Sequence, residues 1–174
     1  MKKTLLLLLL ASCSTLADLG HVNLIMSGEI MKESCDIDAN NLTQNVEIGD
    51  FAVGTFNSVG SVSADKSFKI LLSKCSPEIK TAGVTFTGTA QAGGDSSLLA
   101  LSDTTGTGNL AQGVAVQLLD SNKIPLAINS LNPVRYPISP GDNTLNFSLR
   151  YKAVSLPVVA GNANAVLYFN MDYQ

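Results

Sequence analysis

The sequence predicts an all-β fold, an antiparallel sandwich of the immunoglobulin-like type. Three observations support this class: apolar and polar residues alternate in several short segments, turn-forming residues separate those segments, and signals for helices are sparse. A period of two places successive side chains on opposite faces of a strand, so that each segment can bury one face. Threonine, serine, asparagine, valine and glycine are abundant and tryptophan is absent, which suits short strands joined by turns.

The beginning of the chain has the pattern of an export signal. Lys2 and Lys3 supply positive charge, the run Leu5–Leu10 is apolar, and small residues end at Ala17. We therefore expect residues 1–17 to be a signal peptide, and cleavage after Ala17 leaves 174 − 17 = 157 residues. The apolar run is too short to span a bilayer as a stable helix.

A second interpretation of the same segment is a lipoprotein signal. The residues Leu10-Ala-Ser-Cys13 fit a lipoprotein box, in which Cys13 is acylated and becomes the first residue. The site that ends at Ala17 lies at the more usual distance from the charged start, and we favour it for that reason.

Two cysteines, Cys35 and Cys75, remain once the leader is removed. An even number of cysteines in an exported protein predicts a disulfide, with two buried thiols as the alternative. The loop between them is 75 − 35 = 40 residues, and closing it stabilises the fold by about 4 kcal/mol in a chain-entropy treatment. The lone His21 and these cysteines lack any recognisable ligand spacing, so we expect no metal site and no cofactor.

Length and charge exclude several functional classes. A chain of 157 residues builds one core, and we see no linker or internal repeat. Without Lys2 and Lys3 the formal charge is (11 − 2) − 14 = −5, and no basic patch points to nucleic acid. One histidine and two cysteines expected to be oxidised give no nucleophile and base pair. We predict neither an enzyme nor a protein with a small-molecule substrate.

Four interior segments alternate and are predicted as strands: residues 68–72, 84–90, 114–118 and 145–153. Turn-forming groups lie between them, at Gly93-Gly94, at Thr105–Asn109, at Ser139–Asp142 and around Pro157. The stretch Ser96–Leu101 is compatible with a short helical turn.

An arm near the start of the mature chain alternates as well. One face of the arm carries Val22, Leu24, Met26, Gly28 and Ile30. The arm precedes the first of the paired cysteines, so the disulfide does not hold it to its own core. Judged by alternation alone, an ordinary first strand paired within its own sandwich is the simpler interpretation.

The last fourteen residues open with Gly161 and then alternate. One face carries Ala163, Ala165, Leu167, Phe169, Met171 and Tyr173. This pattern predicts a strand with one face on a core, and no partner strand is encoded after it. A turn glycine and a half-buried tyrosine explain Gly161 and Tyr173 when each is taken singly.

Taken together, these features resemble the subunits of chaperone–usher fimbriae, in particular the minor adaptor subunits of type 1 fimbriae. The resemblance covers the leader, the arm with Gly28, Cys35, the segments Phe68–Cys75, Val84–Gly88 and Asn143–Phe147, and the terminal segment. Its most specific element is a glycine fourteenth from the end combined with a penultimate tyrosine on one alternating strand.

The resemblance implies a pilin domain at residues 31–174, an incomplete immunoglobulin-like sandwich that lacks its final strand. It implies that residues 18–30 are a donor-strand extension, which enters a neighbouring subunit by donor-strand exchange. The segment Gly161–Tyr173 would border the acceptor groove and bind a chaperone strand first. The implied partners are a periplasmic pilus chaperone, an outer-membrane usher and neighbouring fimbrial subunits, and the implied destination is the cell-surface fimbria, reached through the periplasm.

Within the fimbria, the resemblance to adaptors implies a minor subunit that links tip and shaft. Two alternatives from other classes stay open at this point: a surface lipoprotein anchored at Cys13, and a glycan-binding module. The absence of tryptophan and the inward assignment of most phenylalanines and tyrosines count against the second.

Mass spectrometry of the mature N-terminus distinguishes secretion from lipid anchoring. We expect an unmodified chain that begins at Asp18, because the small residues before it form the favoured cleavage site. A chain that begins with an acylated Cys13 would contradict the secreted form.

Overall fold

The computed structural model describes residues 26–28, 34–37 and 42–174. The chain divides into two compact units, residues 1–31 and residues 32–174. In the first unit, residues 26–28 are exposed and lie in no strand. The predicted signal peptide lies outside the described residues, as do three arm residues predicted to donate side chains, Val22, Leu24 and Ile30.

The described part of the second unit contains eight β-strands and one 3-10 helix. The strands are β1 (Asp36–Ile37), β2 (Lys66–Cys75), β3 (Thr81–Gly88), β4 (Leu98–Leu99), β5 (Val114–Leu119), β6 (Val134–Pro137), β7 (Gly141–Ala153) and β8 (Leu167–Tyr173), and the 3-10 helix is Val53–Thr55. The all-β prediction is confirmed, since no α-helix occurs among the described residues.

The strands form two sheets. One has five strands in the order β1-β2-β7-β5-β4, and the other has three in the order β6-β3-β8. Every pairing between strands is antiparallel. This architecture is an immunoglobulin-like sandwich, as the alternating segments predict.

A cluster of aromatic rings joins the two sheets in the core. Phe147 of β7 lies 5.0 Å from Phe86 of β3 and 5.7 Å from Tyr136 of β6, both in edge-to-face geometry. Phe68 of β2 stacks on the same ring at 5.4 Å. Edge-to-face and offset contacts at such distances are favourable beyond the area that they bury, so Phe147 is a central contact between the sheets.

The four interior segments predicted as strands are confirmed as β2, β3, β5 and β7. The prediction of a helical turn at Ser96–Leu101 is wrong, because the backbone there makes contacts of another kind. The Asp95 carboxylate accepts hydrogen bonds from the backbone nitrogen and the hydroxyl of Ser97, which forms a turn. The next two residues, Leu98 and Leu99, then pair with β5 as strand β4.

The predicted disulfide is present. Cys35 and Cys75 are bonded, with 40 residues of sequence separation, and both are buried. Cys75 is the last residue of β2, and Cys35 immediately precedes β1, which pairs with the same strand. The bond therefore ties the start of the described body to a central part of the five-stranded sheet.

A polar network fastens β4 to its neighbours on the outer face of this sheet. The buried Gln117 accepts hydrogen bonds from Arg150 Nε and Nη2 at 2.9 and 2.8 Å and donates one to Ser97 Oγ at 3.0 Å. Lys152 Nζ lies 2.8 Å from Asp95 Oδ2. The hydrogen bonds from Lys152 and Ser97 lower the pKa of Asp95 to about 2.

Among the described residues, no helix meets the length and hydropathy needed to cross a membrane.

Candidate functional site: an open groove beside the last strand

The last strand, β8, lies at an edge of the three-stranded sheet. It pairs with β3 over its whole length, from Ala82 opposite Tyr173 to Gly88 opposite Leu167. On its other side β8 has no strand partner within the described part of the chain. An edge of this kind presents backbone donors and acceptors that can pair with an additional strand.

The inner face of β8 is only partly buried. Leu167, Phe169, Met171 and Tyr173 pack against the core but are half-buried, and the residues between them are exposed. In β5, by contrast, all six residues are buried. The difference arises because β8 is covered by the sandwich on one flank only, which leaves apolar side chains accessible from the other.

A groove of about 930 Å³ runs along this accessible flank. Residues 163–169 form one wall, and residues 42–50 form the other. Apolar side chains from both sheets make the floor: Phe68, Phe86, Leu99, Val116, Leu149 and Tyr151. A long, apolar-floored groove beside a free strand edge is suited to an extended peptide segment, whose backbone pairs with the edge while alternate side chains enter the groove.

The second wall is an extended segment that the sequence analysis missed. Residues 44–50 lie in no assigned strand, yet Val46 and Ile48 are half-buried while the residues beside them are exposed. Gln44 Nε2 donates a hydrogen bond to the carbonyl of Lys69 at 3.0 Å, which fixes the start of the wall to β2. The only signal in the sequence was two apolar residues spaced by two, too short to predict a strand.

Two half-buried tyrosines lie near the inner face of β8: Tyr151 on the groove floor and Tyr173 at the end of β8 itself. Tyr151 donates a hydrogen bond to the carbonyl of Ala163 at 2.8 Å, and its pKa is raised by burial and by the nearby charge of Asp50. Burial and the charge of Asp36 raise the pKa of Tyr173, whose hydroxyl is buried without a hydrogen-bond partner. Both phenols are therefore neutral at ordinary pH and add apolar surface to the inner face.

The predicted strand from Gly161 to Tyr173 is too long by six residues. The backbone of residues 162–164 bonds to the loop before β5 and not to β3: Ala111 N donates to Asn162 O at 2.9 Å and Ser102 N donates to Asn164 O at 2.8 Å. Regular pairing with β3 begins only at Leu167. Ala163 and Ala165 nevertheless line the groove, as their alternation indicates.

Gly161 lies before the strand, against neighbouring backbone. A Cβ at this position would lie 2.5 Å from Ala111 N and 2.6 Å from the carbonyl carbon of Leu110. Only glycine fits such a close approach. The residue therefore lets the chain pass tightly over residues 110–111 before it enters the groove wall.

The other residues singled out from the sequence are placed as follows. Met26 and Gly28 are exposed in the first unit, as is Ser27 between them, while the other residues of the arm lie outside the described ranges. In the described ranges, no group of three or more histidine, cysteine, aspartate or glutamate side chains is arranged to hold a metal ion. The groove thus offers shape, apolar surface and a strand edge as its means of recognition.

Comparisons with known proteins agree on one family. A family model described as "Fimbrial protein" matches residues 24–174. The uncharacterized fimbrial-like protein YcbU of Escherichia coli K12 is 38% identical over 157 residues, which cover 88% of this chain and 85% of the relative. A solved Burkholderia pseudomallei antigen and type I fimbria protein has a TM-score of 0.60 at 36% identity, over 80% of this chain and 88% of that one.

A second solved structure supports the fold. A chain from the structure of a chaperone–usher pilus has a TM-score of 0.68 at 21% identity and covers 90% of this chain and 97% of its own length.

The substitution Gly161→Ala tests the close approach at the groove entrance. We expect it to lower the free energy of unfolding by about 1–3 kcal/mol, because the added methyl group must displace backbone. The matched control is Gly54→Ala, at which a Cβ meets nothing within 4 Å, and we expect a change within about 0.5 kcal/mol. Chemical denaturation measures both, and equal effects would contradict the assignment.

Proposed function

The chain belongs to the fimbrial protein family, and we propose that it is a structural subunit of a chaperone–usher fimbria that polymerises by donor-strand exchange. In this proposal the groove beside β8 accepts a strand from a neighbouring subunit. The arm at residues 18–30 is in turn donated to the next one. A subunit with both an arm and a groove occupies an internal position in the fibre.

The observation that carries the proposal is the half-buried inner face of β8, next to an edge that has no strand partner among the residues the structure describes. An added strand covers this face and pairs with the edge in one step. Each large apolar side chain that becomes buried contributes about 1.5–3 kcal/mol, so four of them give a gross gain on the order of 10 kcal/mol before ordering costs. A gain of this size supports slow dissociation.

The arm has the pattern that such a groove requires. Val22, Leu24, Met26 and Ile30 recur at intervals of two or four residues, and the inward residues of β8 also recur every two. An extended segment with this spacing directs all four side chains to the same face. Gly28 leaves out a side chain where the arm passes close to the acceptor backbone.

The same groove explains the remaining proposed partners. Before assembly, a periplasmic chaperone lends a strand to the groove and so covers the apolar face, and an outer-membrane usher then receives the subunit. We place the subunit in a minor adaptor position between tip and shaft, on the resemblance of its sequence to such adaptors. The proposed role is structural and requires no catalytic group. As a component of the fimbria, the subunit is located at the cell surface.

Paired substitutions in the arm test donor-strand exchange. We expect Leu24→Glu to reduce incorporation as an internal subunit at least about tenfold, because a carboxylate would be buried in the neighbour's groove without a partner. The control Asn23→Glu adds the same charge on the opposite face of the arm and should assemble normally. Counting subunits in purified fibres by quantitative mass spectrometry measures both variants.

A deletion of residues 18–30 completes this test. The shortened subunit should still bind its chaperone through the intact groove, yet it should no longer be found inside fibres. Normal internal incorporation of either the deletion variant or Leu24→Glu would contradict the assignment of the arm as donor.

A further inference from the structure

A second cavity opens at the end of the groove where the chain approaches β8. This end pocket has a volume of about 290 Å³, is bounded by Val53, Phe56, Val158 and Val159, and shares Tyr151 with the groove floor. A small separate core of Phe56, Val114 and Ala153 lies beside it. The end pocket is therefore continuous with the groove but rests on its own group of buried side chains.

Two exposed aliphatic side chains line the end pocket. Val53 is 42% exposed and Val159 is 45% exposed. Single exposed apolar residues are ordinary, but two at one cavity mark a surface that another molecule can cover. The question is which molecule reaches this end of the body.

The direction of the donated arm indicates that this molecule is the donor subunit. All strand pairings in the described body are antiparallel, including that of β8 with β3. An arm that pairs with β8 in the same sense has its last apolar residue, Ile30, at the beginning of β8. Residues 163 and 164 form the approach to that strand, and they line the end pocket as well.

Covalent connection then limits where the neighbour's body can lie. Ile30 and Cys35 are 35 − 30 = 5 residues apart, a span of at most about 18 Å when fully extended. Cys35 is fixed to its own body by the disulfide with Cys75. The body of the donor subunit must therefore begin within about 18 Å of the residue that pairs with the start of β8, at the end of the groove where the end pocket lies.

We propose that the end pocket and its exposed residues Val53 and Val159 form a second interface that contacts the body of the arm-donating subunit. This inference rests on the proposed function, since the arm brings the two bodies together. The groove holds the arm, and the second interface fixes the orientation of one body on the next. Its occupant is the body of a second copy of this chain, whose own arm and disulfide set the distance between the two bodies.

The test compares a complete donor with a synthetic arm. Two acceptor variants are made separately, Val159→Asp and Val53→Asp. Each acceptor is bound either to a full-length donor subunit or to a peptide of residues 18–30. The matched control is Ile124→Asp. Ile124 is an aliphatic residue that is 58% exposed. It follows the last residue of β5, whereas the end pocket contacts the first residue of that strand, Val114. The rate of separation in guanidinium is measured for every pair.

We expect Val159→Asp and Val53→Asp to speed the separation of full-length pairs at least about tenfold, because each places an unpaired carboxylate in the interface. Peptide complexes should separate at unchanged rates, which also shows that the variants fold, and Ile124→Asp should change neither. Full-length rates equal to those of the Ile124→Asp control would overturn this inference alone. A peptide that fails to bind the unaltered acceptor would instead overturn the proposed function and, with it, the second interface.

Discussion

The open edge of β8 is the constraint on which the rest of this structure depends. Within the described ranges the strand pairs on one side only, with β3, and its inner residues are half-buried although they pack against the main core. A sandwich whose fully paired strands are well buried thus ends in an apolar groove of about 930 Å³. Exposed apolar surface next to free backbone groups favours association with another strand. In the proposed function, burial of this apolar surface by a donated strand is what drives assembly.

Several contacts elsewhere in the fold fix the positions of the two groove walls. The close passage of Gly161 over residues 110–111 directs the chain into the first wall. The hydrogen bond from Gln44 to β2 anchors the second wall, and the hydrogen bond from Tyr151 to Ala163 braces the floor against the first. The disulfide ties the segment before the second wall to β2. These contacts connect both walls to the five-stranded sheet.

Much of this could be predicted from the sequence, because a period of two is a direct consequence of strand geometry. The long strands β2, β3, β5, β7 and β8 each alternate, and two cysteines in a chain predicted to be exported predict a disulfide bond. The short strands β4 and β6 were missed, since two and four residues carry too little periodicity. The wall at residues 44–50 was missed for the same reason. The true start of β8 depends on hydrogen bonds to a distant loop, which no local pattern encodes.

Amide hydrogen exchange along β8 tests most directly whether the body is one strand short. The measurement follows the subunit alone and with the peptide of residues 18–30. If a strand is missing, amides of β8 that do not bond to β3 exchange rapidly in the lone subunit and become strongly protected when the peptide fills the groove. Full protection of every β8 amide in the lone subunit, unchanged by the peptide, would contradict the central claim.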